Sequence, residues 1–560
     1  MPQPTDTVVA TGMLPFLLLA SAALTVPVAL ALLRLYRRAV VRAMALQAGI
    51  AAAPAVPHTR AVAQPLPLDV ELFDAAALDA AELPQYRRAV SSLTRATIVY
   101  VAAGFAYAIA LTSPWLVFMP GEGVPVSRIL WLMSCYLWPA ALAVGMLTAV
   151  SRGQRALVAV AYFAMLFAVA LYGLARNDEL SLGQLATFWL LTNAPATLLL
   201  VAFLHRRVRA VGPLVLAFMI TAVTGSQVLL SVVGASDATM RTAVVLGGKI
   251  GLGGHGVFWA VLLLGFVLFG IAGWWLLRLL GRWYEQRRMS DQGLTLDAMW
   301  LLFGVVQSIT FAFEGLLYVF TGLMGFVIYK LVAQGGFELA GLARANAGSP
   351  TLLLLRVFAL GGRSERLFDA FSKRWLRAGS IFMIAGPDLA ASTVEPHEFL
   401  DYMAGRLSRR FVSSGEDLER RLHAVERDPD PDGRYRVNEF FCYADTWQQT
   451  MTKLAARADA VLMDLRSFSR SNQGCMFELQ QLLDSVSLDR VVFLIDDTTD
   501  RAFLETVLHE SWQRVDAASP NRSLAAPRAR LLRVSDEQPA GITGALKLLL
   551  AGSSVRPQPV

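Results

Sequence analysis

A carboxylate near the start of a helix is the feature of this sequence best suited to chemistry. Residues 459–496 read as a buried strand, a polar loop, a helix carrying Glu478 in its second turn, and another buried strand. Asp464 closes the first strand, and Asn472 and Gly474 shape the loop that follows. Open α/β sheets bind ligands beyond the carboxyl ends of parallel strands. This stretch therefore predicts a ligand site in which Glu478 is the candidate catalytic residue.

Two ordinary structural roles compete with a chemical role for Glu478. A capping-box glutamate needs Ser or Thr three residues earlier, and Cys475 at that position weakens this explanation. A carboxylate near a helix N-terminus can also simply stabilise the helix dipole. The buried face of the helix is marked by three leucines, Leu479, Leu482 and Leu483. Glu478 lies at the border of that face, so we expect it to be partly desolvated, with a raised pKa.

Other candidate ligand-binding residues follow the predicted strands of the same region. Gly361, Gly362 and Ser364 form a loop that could cradle a phosphate at a helix N-terminus, or be an ordinary strand-to-helix turn. Asp388 ends the next strand and could contact a ribose hydroxyl or cap the turn. Asp464 is the second candidate for ribose hydroxyls. Three arginines are candidates for holding phosphates, namely Arg363, Arg366 and Arg466.

Strands and helices alternate from residue 351 to the end of the chain. The predicted strands are 351–358, 380–388, 436–443, 459–466, 490–496 and 529–534. Most are continuously apolar, which is typical of a parallel sheet covered by helices on both faces. The predicted fold of this region is an α/β doubly wound parallel sheet of the flavodoxin-like type.

The stretch around Glu478 resembles two related families. The order of strand, Asp, polar loop, Asn-x-Gly, helix with Glu-Leu and strand is similar to the nucleoside 2-deoxyribosyltransferase superfamily and to Toll/interleukin-1 receptor (TIR) domains. Residues 474–479, Gly-Cys-Met-Phe-Glu-Leu, carry the likeness, although Gln480 replaces the glycine of the transferases. The resemblance covers roughly 350–535. It implies that Glu478 attacks or stabilises a ribosyl carbon, with NAD or another nucleotide as substrate or ligand and no further cofactor.

Composition places this domain in a membrane protein. The 560 residues are 55% hydrophobic and only 17% charged, which favours multiple membrane spans. Seven apolar runs are long enough to cross, at 11–33, 97–118, 129–150, 155–175, 184–204, 211–233 and 256–278. Arginine and lysine are about four times as frequent in one alternate set of connections as in the other. The positive-inside rule then places the N-terminus outside and the first long loop, 35–95, in the cytoplasm.

The apolar run from 299 to 332 decides the side on which the following domain lies. A single crossing would place that domain outside, whereas a helical hairpin keeps it inside, and we favour the hairpin. Glu314 lies near the middle of the run. On the hairpin interpretation we expect it at the turn rather than in a proton relay. The membrane region is expected to contain about seven to nine spans.

These observations divide the chain into a polytopic membrane region (1–335), a linker (336–350) and a cytoplasmic domain (351–552). The predicted location is the inner (plasma) membrane of a bacterial cell. The net charge of +7 comes mainly from arginines beside spans, so the lipid bilayer and a small nucleotide are the expected partners, and nucleic acid is not. The three cysteines show no metal-ligand spacing, so no metal site is predicted.

Three functions remain open at this stage. The domain could be an N-glycosidase that uses Glu478, or a non-catalytic nucleotide sensor that self-associates as a homo-oligomer and regulates the membrane region. The chain could also be a transporter with a regulatory tail. The fold hosts both catalysts and binders, so the sequence leaves the first two evenly matched.

Overall fold

A computed structural model gives the arrangement of most of the chain. It describes residues 4–46, 65–74, 84–118, 125–149, 152–312, 318, 320–344, 348–356, 362–386, 394–425, 427–534 and 539–553. Predictions made for Glu314, Gly361 and Asp388 lie outside these residues.

Helices dominate the first 340 residues. They are α1 (Pro4–Met44), α2 (Pro84–Phe118), α3 (Val126–Thr148), α4 (Arg152–Arg176), α5 (Leu182–Thr192), α6 (Ala194–Leu204), α7 (Arg206–Arg209), α8 (Gly212–Gly234), α9 (Asp237–Lys249), α10 (Gly254–Glu285), α11 (Asp291–Ala312) and α12 (Thr321–Leu339). Many of them meet in one apolar core that includes the fully buried Trp138, Trp300 and Phe303.

Five helices in the described part of the chain are long and apolar enough to cross a membrane, namely α2, α3, α4, α8 and α10. This is fewer than the seven to nine spans predicted. The predicted span 184–204 is broken at Asn193 into α5 and α6, with Pro195 in the first turn of α6. Each piece has 11 residues, which is about 16 Å of helix against a hydrocarbon core of about 30 Å. The predicted span 11–33 falls within α1, whose side chains the structure describes from residue 20 onward.

Helices α11 and α12 pack against each other as a helical hairpin over the apolar run 299–332. Neither is among the five candidate spans of the described residues, so a hairpin within the membrane stays a prediction. A Cβ on Gly322 would overlap the carbonyl oxygen of Gly304, so the two helices touch backbone to backbone. Nearer the open end of the hairpin, the Lys330 ammonium lies 2.7 Å from the Asp297 carboxylate. Contacts that pair early residues of α11 with late residues of α12 show that the helices run antiparallel.

The second half of the chain builds most of a parallel sheet, as predicted, and one strand comes from the first half. Its strands are β1 (Asp69–Asp74), β2 (Thr351–Arg356), β3 (Ser380–Ile384), β4 (Phe411–Val412), β5 (Val437–Cys442), β6 (Ala460–Asp464), β7 (Val491–Ile495) and β8 (Arg528–Arg533). Their order is β1-β8-β7-β6-β2-β3-β5-β4, and each pair of neighbouring strands among the described residues is parallel. Strands β2, β3, β6, β7 and β8 follow the 2-1-3-4-5 order of flavodoxin-like sheets, and β4 and β5 extend one edge.

Helices cover both faces of this sheet. They are α13 (Gly362–Trp375), α14 (Pro396–Met403), α15 (Gly415–Ala424), α16 (Trp447–Arg457), α17 (Gln473–Ser485), α18 (Arg501–Gln513) and α19 (Pro539–Ser553). Helices α13 and α19 share one apolar core with the sheet, and α15 to α18 share the core on the opposite face. Helix α14 packs instead into the core of the membrane helices.

Strand β1 corrects the predicted domain boundaries. It lies in the loop 35–95, which was assigned to the membrane region, yet it pairs with β8 along all six residues. The indole nitrogen of Trp512 also donates to the carbonyl of Leu66, at 2.7 Å. The sheet domain is therefore not confined to residues 351–552, and the predicted linker overlaps the end of α12. Because β1 belongs to the sheet, residues 69–74 and the sheet domain lie on the same side of the candidate spans.

Candidate functional site

The sheet reverses its winding direction between β2 and β6. From β2 the chain moves to β3 on one side, and β6 lies on the other side of β2. Arg356 and Asp464, the last residues of the two strands, are register partners at the carboxyl edge. Doubly wound sheets bind ligands at this switch point. Both residues are buried, with 3% and 2% of their surfaces exposed.

Glu478 lies close to this switch point and is almost completely buried, with 2% of its surface exposed. Its Oε2 atom has no hydrogen-bond partner among the described residues. Burial raises the pKa of Glu478 to about 8, and the positive charge of Arg356 opposes the rise only partly. The predicted desolvation is thus confirmed. Buried carboxylate oxygens without a partner are rare, which makes this one a functional candidate.

The position of Glu478 follows from how α17 begins. Asn472 stands at the N-cap, and its side-chain oxygen accepts from the Ser469 amide at 2.9 Å, which closes the preceding turn. Cys475 faces β2, with its sulfur 4.0 Å from the Arg356 carbonyl oxygen. The next helical turn then brings Glu478 to the same strand end. Gly474 is in open space, where an added Cβ would meet nothing within 4 Å, so neither conformation nor packing requires glycine there.

Asp464 and Arg466 neutralise each other. The Arg466 guanidinium donates to both carboxylate oxygens of Asp464, at 2.8 and 2.7 Å, and each side chain is 3% exposed. The sequence proposed these two residues as ligands for ribose hydroxyls and phosphate. The structure instead shows a closed, buried ion pair that orders the β6 end of the site.

A polar cluster adjoins this pair at the ends of β6 and β7. Arg363, in the first turn of α13, bonds to the Asp496 carboxylate and lies within 3.4 Å of the hydroxyls of Ser467 and Thr498. Ser467 has a left-handed backbone conformation, with φ of 58°. Desolvation acts against ionisation of Asp496, but hydrogen bonds from Thr498 and the charge of Arg363 lower its pKa. Sequence reasoning named Arg363 but missed Asp496, because only the sheet brings them together.

The structure changes the role predicted for Ser364 in the phosphate-binding loop. Helix α13 already begins at Gly362, so Ser364 is the third residue of the helix and not its N-cap. Arg356, Phe368, Phe371 and Asp464 help to line a cavity of about 10 Å³ beneath α13. This is about the size of one water molecule, so a nucleotide would have to bind above the strand ends.

A second polar cluster, missed from the sequence, lies where α14 meets α10. Donor atoms of Glu395, His397 and Glu398 all lie within 4.8 Å of one another, which is a reach compatible with a metal ion. The cluster borders a cavity of about 290 Å³. Glu395 and Glu398 also form a reciprocal capping box at the start of α14. Burial raises the pKa of Glu395 to about 8. The sequence signal for this cluster is the run Glu-Pro-His-Glu at 395–398. Helix capping already accounts for the two glutamates of that run.

Comparison with known proteins gives no match. No family model fits the chain, and neither the curated proteins nor the solved structures include a significant relative. The case for function therefore depends on the residues and geometry of the switch point.

Proposed function

We propose that this chain is an inner-membrane protein whose sheet domain, on the cytoplasmic side, binds a ribosyl nucleotide at the switch point and cleaves its N-glycosidic bond. The observation that carries the proposal is the buried carboxylate of Glu478, whose Oε2 has no hydrogen-bond partner among the described residues, at the position where doubly wound sheets bind ligands. The likeness of residues 474–479 to ribosyl-transferring and NAD-cleaving domains adds the reaction class.

Contacts between the sheet domain and two basic connections of the membrane region support placing that domain in the cytoplasm. Arg155, in the first turn of α4, forms a 2.7 Å ion pair with Asp369 on α13. Arg287, just after α10, donates to the carbonyl of Asp428. These arginines belong to the strongly basic set of connections, which the positive-inside rule assigns to the cytoplasm.

In N-glycosidic cleavage the base leaves with the electron pair of the bond, and a carboxylate stabilises the oxocarbenium-like ribosyl cation or traps it as an ester. Water then forms the new bond to the ribosyl carbon and releases the carboxylate. With a pKa of about 8, Glu478 is mostly protonated near neutral pH in the free protein. A nucleotide with a cationic base, such as the pyridinium of NAD, would favour the ionised form when it binds next to the carboxylate. Positive charge developing on the ribosyl carbon would favour that form further.

Nucleotide sensing without turnover is the second candidate. Two observations favour it. Asp464 and Arg466 bind each other, so neither is available to a substrate, and the raised pKa of Glu478 favours its protonated form. A protonated carboxyl can donate a hydrogen bond to a ribose hydroxyl but cannot stabilise a cation. In this case binding would occur and no base would be released.

The test uses the full chain in lipid nanodiscs, because β1 lies far from the rest of the sheet in sequence. The protein is incubated with NAD and a nucleoside panel, and base release and binding are both measured. We expect base release that is lost in Glu478→Gln while binding is kept. The matched control is Glu510→Gln, which changes a glutamate that is 61% exposed on α18. Binding without release by wild type would support the sensor, and absence of both would refute nucleotide handling.

A further inference from the structure

Helix α13 joins the switch point to the membrane helices. Its first turn lies at the carboxyl edge of the sheet, and its second half contacts the connection between α3 and α4. The helix has 14 residues, so its two ends are about 20 Å apart.

The first turn is bonded to the groups of the candidate site. The Arg466 guanidinium, which holds Asp464, also donates to the Arg363 carbonyl oxygen at 3.3 Å. The Arg363 side chain in turn bonds to Asp496 beyond β7. A ligand that shifts any of these groups therefore acts directly on the start of α13.

The second half of α13 is clamped to the membrane helices by two polar contacts. The Arg155 guanidinium lies 2.7 Å from the Asp369 carboxylate. The Lys373 ammonium donates to the carbonyl of Ala149, the C-cap residue of α3, at 2.8 Å. A buried cation at a helix C-terminus satisfies an otherwise unpaired carbonyl and interacts favourably with the helix dipole. We call these two contacts the α13 clamp.

Packing along its second half holds the helix rigidly against the sheet. Phe371 and Trp375 are at most 1% exposed and stack on each other with ring centres 5.8 Å apart. Close-packed cores shift between discrete arrangements and do not deform continuously. A displacement of the first turn is therefore passed to the clamp.

We infer that α13 couples ligand occupancy at the switch point to the arrangement of α3 and α4, so that the membrane helices regulate the site and the ligand acts back on them. This inference rests on the proposed nucleotide site and adds its regulation. Coupling between two sites is reciprocal, so loosening the clamp must change ligand affinity, and ligand must change the exposure of the α3–α4 connection.

The experiment compares Arg155→Gln, Asp369→Asn and the double variant in nanodiscs, with NAD as probe. Arg155 is 32% exposed on its side chain, so its loss should leave the fold intact. We expect each single variant to change NAD affinity about 5- to 10-fold. The double variant should match Asp369→Asn, because that substitution already removes the Arg155 contact together with the 3.9 Å contact between Asp369 and Lys373. Arg420→Gln, whose side chain is 77% exposed and far from the clamp in the fold, is the control and should change nothing.

Hydrogen exchange supplies a readout that needs no ligand. Arg155→Gln should increase exchange in α17, and NAD should alter exchange in peptides spanning 142–160 of wild type. Unchanged affinity and unchanged α17 exchange in correctly folded variants would overturn the coupling. If wild type does not bind NAD, the proposed function fails. The coupling is then tested by exchange in α17 alone: an increase in Arg155→Gln supports it, and no change overturns it.

Discussion

Replacing Glu478 with glutamine should stabilise the free protein at neutral and alkaline pH. The carboxyl group is buried, and its pKa rises from the ordinary value of 4.5 to about 8. Above pH 4.5 the unfolded chain gains an ionised carboxylate that the folded protein does not accept. The raised pKa therefore contributes no penalty at low pH, and it costs stability progressively as the pH rises from 4.5 to 8. Glutamine has a similar shape and does not ionise, so it avoids this cost.

The magnitude follows from about 1.4 kcal/mol per pH unit of difference between folded and unfolded pKa. The wild-type penalty is at most about 1 kcal/mol at pH 5 and about 3 kcal/mol at pH 7, and it approaches about 5 kcal/mol at pH 9. Glutamine brings a buried amide whose unpaired hydrogens cost about 1–3 kcal/mol at every pH. The variant should thus be more stable than wild type by about 2 kcal/mol at pH 8, or about 4–8 °C in Tm for a domain of this size.

The assay is thermal unfolding of the full chain in detergent from pH 5 to pH 9, followed by intrinsic fluorescence. Wild type, Glu478→Gln and the exposed control Glu510→Gln are compared in identical buffers. The gain in Tm for Glu478→Gln should grow with pH and vanish or reverse near pH 5, and the control should follow wild type. A Tm difference that is independent of pH, or a less stable variant at pH 8, would show that the carboxylate is ionised and solvated, and the reasoning would be refuted.

Three further substitutions test other contacts by thermal or denaturant unfolding of the full chain. Asp464→Ala leaves the Arg466 guanidinium buried without this carboxylate and should lower the free energy of unfolding by about 3–5 kcal/mol. Removing both charges should lower it less, and equal losses would contradict a closed ion pair. Gly322→Ala should separate α11 from α12 at Gly304 and lower the Tm more than Gly335→Ala, where an added Cβ would meet nothing within 4 Å. Equal Tm values would contradict the backbone contact. Trp512→Phe removes the hydrogen bond to the Leu66 carbonyl, just before β1, and should lower the free energy of unfolding by about 1–2 kcal/mol. Hydrogen exchange in β1 should then be faster if that strand belongs to the sheet.

The alternation of strands and helices was readable because it depends on local properties. Strands such as β6 and β7 are continuously apolar and buried along their whole length, as a covered parallel strand must be. The burial of Glu478 was also predictable, because the leucines that follow it define the buried face of α17 at helical spacing. The likeness of residues 474–479 to known families is a property of sequence, and it remains a prediction about chemistry.

Strand β1 could not be predicted from local pattern. Its six residues read Asp-Val-Glu-Leu-Phe-Asp, in which only the first four alternate acidic and apolar side chains. The partner, β8, is more than 450 residues away in sequence. The pairing is therefore visible only in the folded chain.

By itself, the sequence determined that apolar helices long enough to cross a membrane precede a parallel-sheet domain, because hydrophobicity and its period act over neighbouring residues. It also singled out Glu478. Only the tertiary structure decided which charges are available. Asp464 proved to be bound to Arg466, Arg363 to Asp496, and Asp369 to Arg155 across the junction with α4. Ion pairs depend on distances of a few ångströms between residues far apart in sequence, and those distances are fixed only when strands and helices pack.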